Sequence, residues 1–185
     1  MGCLATARPR LVGDHGADLT MALKPRIRRT RRGEFVLNLP PEERDALRAL
    51  PGQLRDLLAT DDPALERLFP PAYPNDLQAQ ADYASITHDD LRAIKLTSIE
   101  VMQRTIDADR LDEEQLLAWL GSINDLRLVF GTRLGVTEET DERSFPAEDP
   151  RAFAFALYAY LGWLEEQAVE ALAAGIDPRG SPSTL

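Results

Sequence analysis

The densest cluster of side chains able to bind another molecule lies around residue 30. Six basic residues occur within nine positions: Lys24, Arg26, Arg28, Arg29, Arg31 and Arg32. Such a cluster can contact phosphate groups or the carboxylates of an acidic partner, and the five arginines are candidate partner-binding residues. It can also be structural, because charges on an exposed strand edge hinder aggregation through that edge. The residues alone leave both interpretations open.

A second polar group interrupts an apolar run in the second half of the chain. The members of this predicted buried polar network are Asn124, Asp125, Arg127 and Lys95. Buried charges persist when they are paired, so Asp125 or Asn124 is expected to bond a cation of a neighbouring helix, with Lys95 as the candidate. Thr132 and Arg133 end the same run. They are expected to be more exposed and able to bind an anion or a partner's carboxylate.

Residue types that commonly carry catalysis are sparse. His88 precedes two aspartates at a predicted helix start, where we expect it to take part in capping, and the other histidine is the distant His15. Neither provides metal-ligand spacing. The sole cysteine, Cys3, is either an oxidant sensor or an incidental thiol. We find no nucleotide-binding loop and no hydrolase motif. The sequence therefore predicts no catalytic residue, no metal and no cofactor.

The charge balance restricts the classes of partner. The 185 residues carry a net charge of −10, yet residues 1–33 hold eight basic and two acidic side chains. An acidic body repels nucleic acid, so direct nucleic-acid binding is not expected. The basic arm can contact phosphate or dock on its own acidic domain, and the charge balance favours docking on its own domain. The longest uncharged run, at 152–164, is too short to span a membrane, and we find no signal peptide. We therefore expect a cytoplasmic protein.

Apolar spacing and helix-ending residues predict a mainly α fold. We expect a β-hairpin at 26–39 turning at Arg31-Arg32-Gly33-Glu34, then a helix that Pro51 splits near Ala49. Short helices follow Asp62 and Asp76, and a longer one runs from Thr87 to Ile106. A central helix starts at Asp112 and ends before Gly135.

The last predicted helix begins at Asp149-Pro150 and ends near Ala174. Its stripe of Phe153, Leu157, Tyr160 and Leu164 has further apolar residues behind it. This pattern predicts burial on two sides, either in the core or across a homodimer interface. The whole is a bundle of three long and several short helices.

The chain divides into three predicted parts. Residues 1–20 form a flexible extension, residues 21–174 the helical domain and residues 175–185 a tail. A second methionine, Met21, leaves the true start open between Met1 and Met21. If the protein starts at Met21, it contains no cysteine.

Several of these segments, taken in order, resemble the AosR-like family of actinobacterial domains of unknown function. The matching runs are RRTRRGEFVLNL at 28–39, LFPPAY at 68–73, DLR at 90–92 with Lys95, NDLRLVFGTRLGV at 124–136, DPR at 149–151, and LY with WL at 157–164. The resemblance implies a gene beside the Clp adaptor ClpS and near a sulfur-carrier cysteine-synthesis pathway. The regulator member of the family looks like a redox-responsive partner of a stress sigma factor that uses a cysteine pair. Because this chain has Cys3 alone, that switch does not carry over.

Three functions remain as hypotheses. The first is a non-enzymatic regulatory module that contacts a sigma factor or RNA polymerase through the hairpin or an exposed helix end. The second is an accessory factor of Clp-dependent proteolysis, suggested by the gene neighbourhood that the resemblance implies. The third is an enzyme of unknown type, which an apolar pocket with convergent carboxylates would favour.

Overall fold

The computed structural model describes residues 25–140, 145–146 and 148–175, and most of these are helical. Its elements are β1 (Ile27–Arg29), β2 (Phe35–Leu37), α1 (Pro41–Arg48), α2 (Leu50–Leu58), a 3-10 helix (Pro63–Leu65), α3 (Leu77–Thr105), β3 (Arg110–Leu111), α4 (Glu113–Leu134) and α5 (Ala152–Ala173). The predicted mainly α fold with an N-terminal hairpin is confirmed. Cys3, residues 1–20 and residues 176–185 lie outside the described residues.

The hairpin has the predicted turn and the predicted apolar face. Gly33 adopts φ +86°, a conformation that favours glycine, and its N–H donates to the Thr30 carbonyl at 3.1 Å. The register pairs Ile27 with Leu37, and both side chains are buried, as is Phe35. A third strand, β3, pairs with the other edge of β2. The sequence did not predict β3, because two residues are too few for a strand pattern.

Proline and cap residues set the helix boundaries around the centre of the fold. Pro51 lies in the first turn of α2, so the predicted break near Ala49 is confirmed. At the start of α4, Asp112 and Gln115 form a capping box, in which each side chain accepts a hydrogen bond from the other residue's backbone N–H. α4 ends at Gly135, whose φ is +65°, and it packs against both α3 and α5. Its predicted central position is confirmed.

One long helix replaces two predicted ones before α4. Asp76 caps α3 as expected, but the helix continues for 29 residues, because no proline or glycine interrupts it. Thr87 donates its hydroxyl to the Tyr83 carbonyl at 2.9 Å, a bond made inside a helix, so the predicted helix start at Thr87 is wrong. His88 also lies inside α3, with its ring 4.4 Å from that of Phe69, and the prediction that it takes part in capping is wrong.

The first turn of α5 corrects a further prediction. Phe153 was expected on the inward stripe, but its side chain is 79% exposed. Phe155, two residues later and therefore on the opposite side of the helix, stacks on Phe145 at 4.6 Å instead. Further along α5, Leu161 and Leu164 are fully buried. The homodimer expected through α5 stays a prediction.

The core lies where the three long helices meet the sheet. Its largest fully buried side chain is Trp119 of α4, and it also contains Phe35, Ile99, Leu111, Leu161 and Leu164. Among the described helices, none combines the length and the apolarity that a membrane crossing requires.

Candidate protein-interaction site

The hairpin presents a small basic surface to solvent. Arg28, Arg31 and Arg32 are exposed, and we call these three residues the basic tip. Arg28 points away from the core because it alternates with the buried Ile27 along β1. Arg29 is half-buried, with its guanidinium 5.3 Å from the centre of the Phe35 ring. The basic tip can offer charge and hydrogen-bond donors to an acidic partner.

Arg26 belongs to a different cluster, which ties the hairpin to two helices. Its Nε and Nη2 each donate to a Glu43 carboxylate oxygen at 2.8 Å, and the Tyr160 hydroxyl donates to the same carboxylate at 2.9 Å. The Arg26 backbone N–H donates to Gln167 Oε1 at 2.6 Å. Because β1, α1 and α5 all contribute, this cluster fixes the base of the hairpin. Arg26 is therefore a half-buried structural residue, in contrast to the exposed arginines of the basic tip.

The cluster also sets the ionisation of two of its members. The hydrogen bonds from Arg26 lower the pKa of Glu43 below its ordinary value, despite the opposing effect of burial. Burial, aided by the neighbouring Glu43 carboxylate, raises the pKa of Tyr160. Sequence spacing gave no signal for this cluster, because its members are far apart in the chain.

Replacing Glu43 by glutamine is expected to cost about 1–3 kcal/mol, since a charged acceptor of three hydrogen bonds is lost. A lowered pKa means that ionised Glu43 stabilises the fold above the ordinary glutamate pKa, and that this stabilisation disappears as the pH falls through the lowered pKa. Glu43→Gln should therefore weaken the acid dependence of stability. Urea unfolding from pH 3 to pH 7, with the exposed neighbour Glu42→Gln as control, measures it. Equal pH profiles for the two variants would contradict the prediction.

The other predicted partner-binding residues lie at the end of α4. The Thr132 hydroxyl donates to the Leu128 carbonyl at 2.9 Å, so its hydrogen is already used in a bond within α4. Arg133 is exposed, and its Nη2 lies 3.3 Å from Asp62 Oδ2, a surface pair that contributes little stability. Arg133 also borders a groove of about 340 Å³ between α2 and α4, whose floor is apolar and includes Leu54 and Val129.

The structure does not bring the two predicted partner-binding sets together. The hairpin lies beside β3, which immediately precedes α4, whereas Arg133 lies in the last turn of α4. The 22 residues of α4 span about 33 Å at 1.5 Å per residue. A single small contact therefore cannot include both sets.

The predicted polar network consists of separate ion pairs on different faces of α4. Lys95 Nζ of α3 lies 2.7 Å from Asp125 Oδ1, and Asp125 is 4% exposed. Burial raises the pKa of Asp125, while Lys95 opposes that shift. Arg127, two residues later and so across the helix, pairs with Glu165 of α5. Asn124 is half-buried beside them. These pairs connect α4 to its neighbours on both sides.

Clusters that would suggest catalysis are weak in the described part of the chain. A shallow pocket beside the 3-10 helix contains Asp61, Asp62 and Glu66. Asp62 caps that helix through the Ala64 N–H at 2.7 Å, while Asp61 and Glu66 are exposed. Within the described ranges, no group of three or more His, Cys, Asp or Glu residues has the geometry to hold a metal ion.

A family model matches nearly all of the described fold. The model for a domain of unknown function, DUF2017, covers residues 24–172, from just before β1 to the last turn of α5. The chain belongs to this family. The hairpin, the Lys95–Asp125 pair and the end of α4 all lie within the matched region, and the AosR-like resemblance of the sequence is confirmed.

Curated relatives of the chain come from mycobacteria. The putative oxidative stress regulator AosR of Mycobacterium leprae is 33% identical over 132 residues, which are 62% of this chain and 60% of the relative. The oxidative stress regulators AosR of Mycobacterium tuberculosis (strain H37Rv) and Mycobacterium bovis are each 32% identical over 127 residues, 58% of this chain and 57% of the relative. The chain thus matches about three fifths of these relatives' length. No solved structure matches the chain significantly.

Proposed function

We propose that the chain is a non-enzymatic regulatory module of the stress response that binds a protein of the transcription machinery, either a sigma factor or RNA polymerase. The observation that carries the proposal is the similarity to relatives named oxidative stress regulators, which extends over most of the folded domain. A regulator that catalyses no reaction has to act by binding another molecule, so the proposal requires an exposed recognition surface.

The basic tip is the surface that fits this role best. Its three exposed arginines extend from a domain whose residues 34–185 hold 13 basic and 29 acidic side chains. A basic site on an acidic body favours a partner with a local acidic patch and discriminates against nucleic acid, which the remainder of the surface repels. The bonds of Arg26 to α1 and α5 hold the hairpin in place.

The test is affinity capture of the full chain from native lysate, with and without peroxide, followed by binding assays with the purified sigma factor or polymerase that is enriched. Replacing Arg28, Arg31 and Arg32 by serine is expected to weaken that binding at least tenfold and to reduce its salt dependence. Arg29 is kept, since its contact with Phe35 belongs to the fold.

A matched control removes the same charge elsewhere. Arg48, Arg55 and Arg104 are exposed on α1, α2 and α3, and their replacement by serine should leave partner binding unchanged. If both triple variants lost the same partner affinity, the effect would be due to net charge alone, which would contradict the proposed site. Enrichment of Clp components in place of transcription proteins would support the proteolysis alternative instead. A signal that peroxide does not alter would show that this chain works without a cysteine switch.

A further inference from the structure

Exposed apolar side chains concentrate in one part of the described chain. The described residues include nine large apolar side chains that are exposed. Six of them fall within residues 73–94, namely Tyr73, Leu77, Tyr83, Ile86, Leu91 and Ile94. Ile86 and Ile94 are 73% and 64% exposed. Single exposed apolar residues are ordinary on a protein surface, whereas a contiguous group indicates an interaction site.

The N-terminal part of α3, which carries Leu77 and Tyr83 of this group, extends past its neighbour α4. α3 and α4 run antiparallel, with Thr105 bonded to Trp119 and Lys95 bonded to Asp125. α4 ends nine residues after Asp125, and nine residues before Lys95 is Ile86. Residues 77–85 of α3 therefore lie beyond the last turn of α4, an overhang of about 14 Å at 1.5 Å per residue.

One exposed face of α3, which runs from the overhang to residues that lie alongside α4, alternates apolar and acidic residues. Ile86, Asp90 and Ile94 follow one another at four-residue spacing, which places them in a row along the helix. Tyr83 extends the apolar row, and Asp82 and Asp89 lie along its side. All of these side chains are exposed. We call this set, Asp82, Tyr83, Ile86, Asp89, Asp90 and Ile94, the α3 face.

A groove borders the α3 face and provides a pocket for an apolar side chain. It has a volume of about 270 Å³ and lies between α3 and the segment that precedes it, with Leu68, Phe69, Tyr83 and Leu91 among its lining residues. Sites for complete small ligands occupy about 300–1,000 Å³. The smaller groove suits a side chain of a protein partner, in the manner of an amphipathic helix laid along another.

The negative charge of the α3 face indicates which kind of molecule can bind to it. Two copies meeting through this face would oppose their own aspartates, which disfavours a symmetric dimer. Residues 1–24 of the chain hold three basic and two acidic side chains, which leaves little charge to complement the face. Anionic lipid headgroups would be repelled by it. A segment with an apolar stripe between lysines or arginines is complementary in both respects.

We propose that the α3 face docks a basic amphipathic helix of a second protein. The partner's apolar stripe covers Ile86 and Ile94 and places one side chain in the groove, and its cations pair with the aspartates. This surface lies at the opposite end of α4 from the basic tip and attracts the opposite charge. The inference goes beyond the proposed function and does not depend on it.

The test uses the purified full chain and a helical peptide of leucine and lysine at amphipathic spacing as the probe, with a leucine–glutamate peptide of the same pattern as its counterpart. Fluorescence anisotropy should show binding of the basic peptide alone. Replacing Ile86 and Ile94 together by aspartate should weaken it at least tenfold. If the basic peptide bound through charge alone, this double variant would bind it more tightly, because the two aspartates add negative charge. The double variant Leu117→Asp, Val169→Asp, at exposed apolar sites elsewhere, should leave binding unchanged.

A photo-crosslinking residue at position 86 identifies the occupant. Crosslinks from the basic peptide to residues 83–94 support the proposal, and serine replacement of the basic tip should not alter them. The proposal is overturned if the two peptides bind with equal affinity, or if the double variants at 86/94 and at 117/169 bind the basic peptide with equal affinity. It is also overturned if the purified chain crosslinks position 86 to residues 1–24 or to a second copy. Binding to anionic vesicles that Ile86→Asp abolishes would also overturn it.

Discussion

Replacing Lys95 by methionine is expected to destabilise the fold by about 3–5 kcal/mol, because it leaves a buried carboxylate without its cation. Asp125 is 4% exposed, and Lys95 Nζ lies 2.7 Å from its Oδ1. The reverse change, Asp125→Asn, should cost less, since the side chain of Lys95 is 18% exposed and its ammonium can move toward water. Urea unfolding followed by circular dichroism measures both losses.

The pH dependence separates this mechanism from a loss of packing. Burial raises the pKa of Asp125 above its unfolded value, and removing Lys95 takes away the interactions that oppose that shift. In the Lys95→Met variant, the native state binds the proton more tightly than the unfolded state does. Stability should therefore be greatest below the ordinary aspartate pKa and fall as the pH rises through the raised pKa.

Removing both partners provides the control for the Lys95–Asp125 pair. The double variant Lys95→Met, Asp125→Leu deletes the ion pair and places apolar side chains of similar size at the interface of α3 and α4. It should recover most of the stability lost in Lys95→Met. A double variant as unstable as the single one, or a Lys95→Met loss that is equal from pH 4 to pH 7, would contradict the explanation.

Replacing Trp119 by alanine is expected to cost about 3–5 kcal/mol, through lost burial and the cavity that remains. Trp119 is fully buried at the crossing of α3 and α4, and its Nε1 donates to Thr105 Oγ1 at 2.7 Å. Such a loss is a large part of the roughly 5–15 kcal/mol that stabilises a typical domain. Thermal unfolding should show it as a clear fall in Tm.

Two further variants separate packing from the hydrogen bond. Trp119→Phe keeps most of the buried volume and should cost less than alanine, since Thr105 still donates to the Val101 carbonyl at 2.7 Å. Trp163→Ala provides the matched control, because Trp163 is half-buried on α5. It should destabilise less than Trp119→Ala. A larger loss at Trp163 would show that the core is centred elsewhere.

Local signals in the sequence predicted the elements whose ends they set. The capping box at Asp112 and Gln115, the break before Pro51 and the glycine turn at Gly33 depend on residues close together in the chain, so they could be read directly. The predicted helix start at Thr87 is wrong because it depended on a local pattern alone. A threonine with an acidic residue three positions later resembles a cap, but no break precedes it, and the hydroxyl bonds within the helix.

At the candidate sites too, the sequence predicted the features that depend on local patterns and missed those that depend on distant residues. The sequence located the basic cluster and named Lys95 as the candidate cation for Asp125, because charge density and polar residues in an apolar run are visible in one dimension. It could not separate Arg26 from Arg28, since that depends on Glu43 and Tyr160, distant in sequence. Nor could it show that α3 extends past α4, which follows from the alignment of the two helices.

The sequence by itself determined the helical class, the hairpin, the helix ends around Pro51 and Gly135, the acidic body with its basic arm, and the family. Each depends on composition or on interactions between near neighbours. The tertiary structure alone decided which charges are exposed, which face of α3 remains uncovered, and that the basic tip and the end of α4 lie far apart. These features arise where distant segments meet, and a side chain is buried or exposed according to what packs against it.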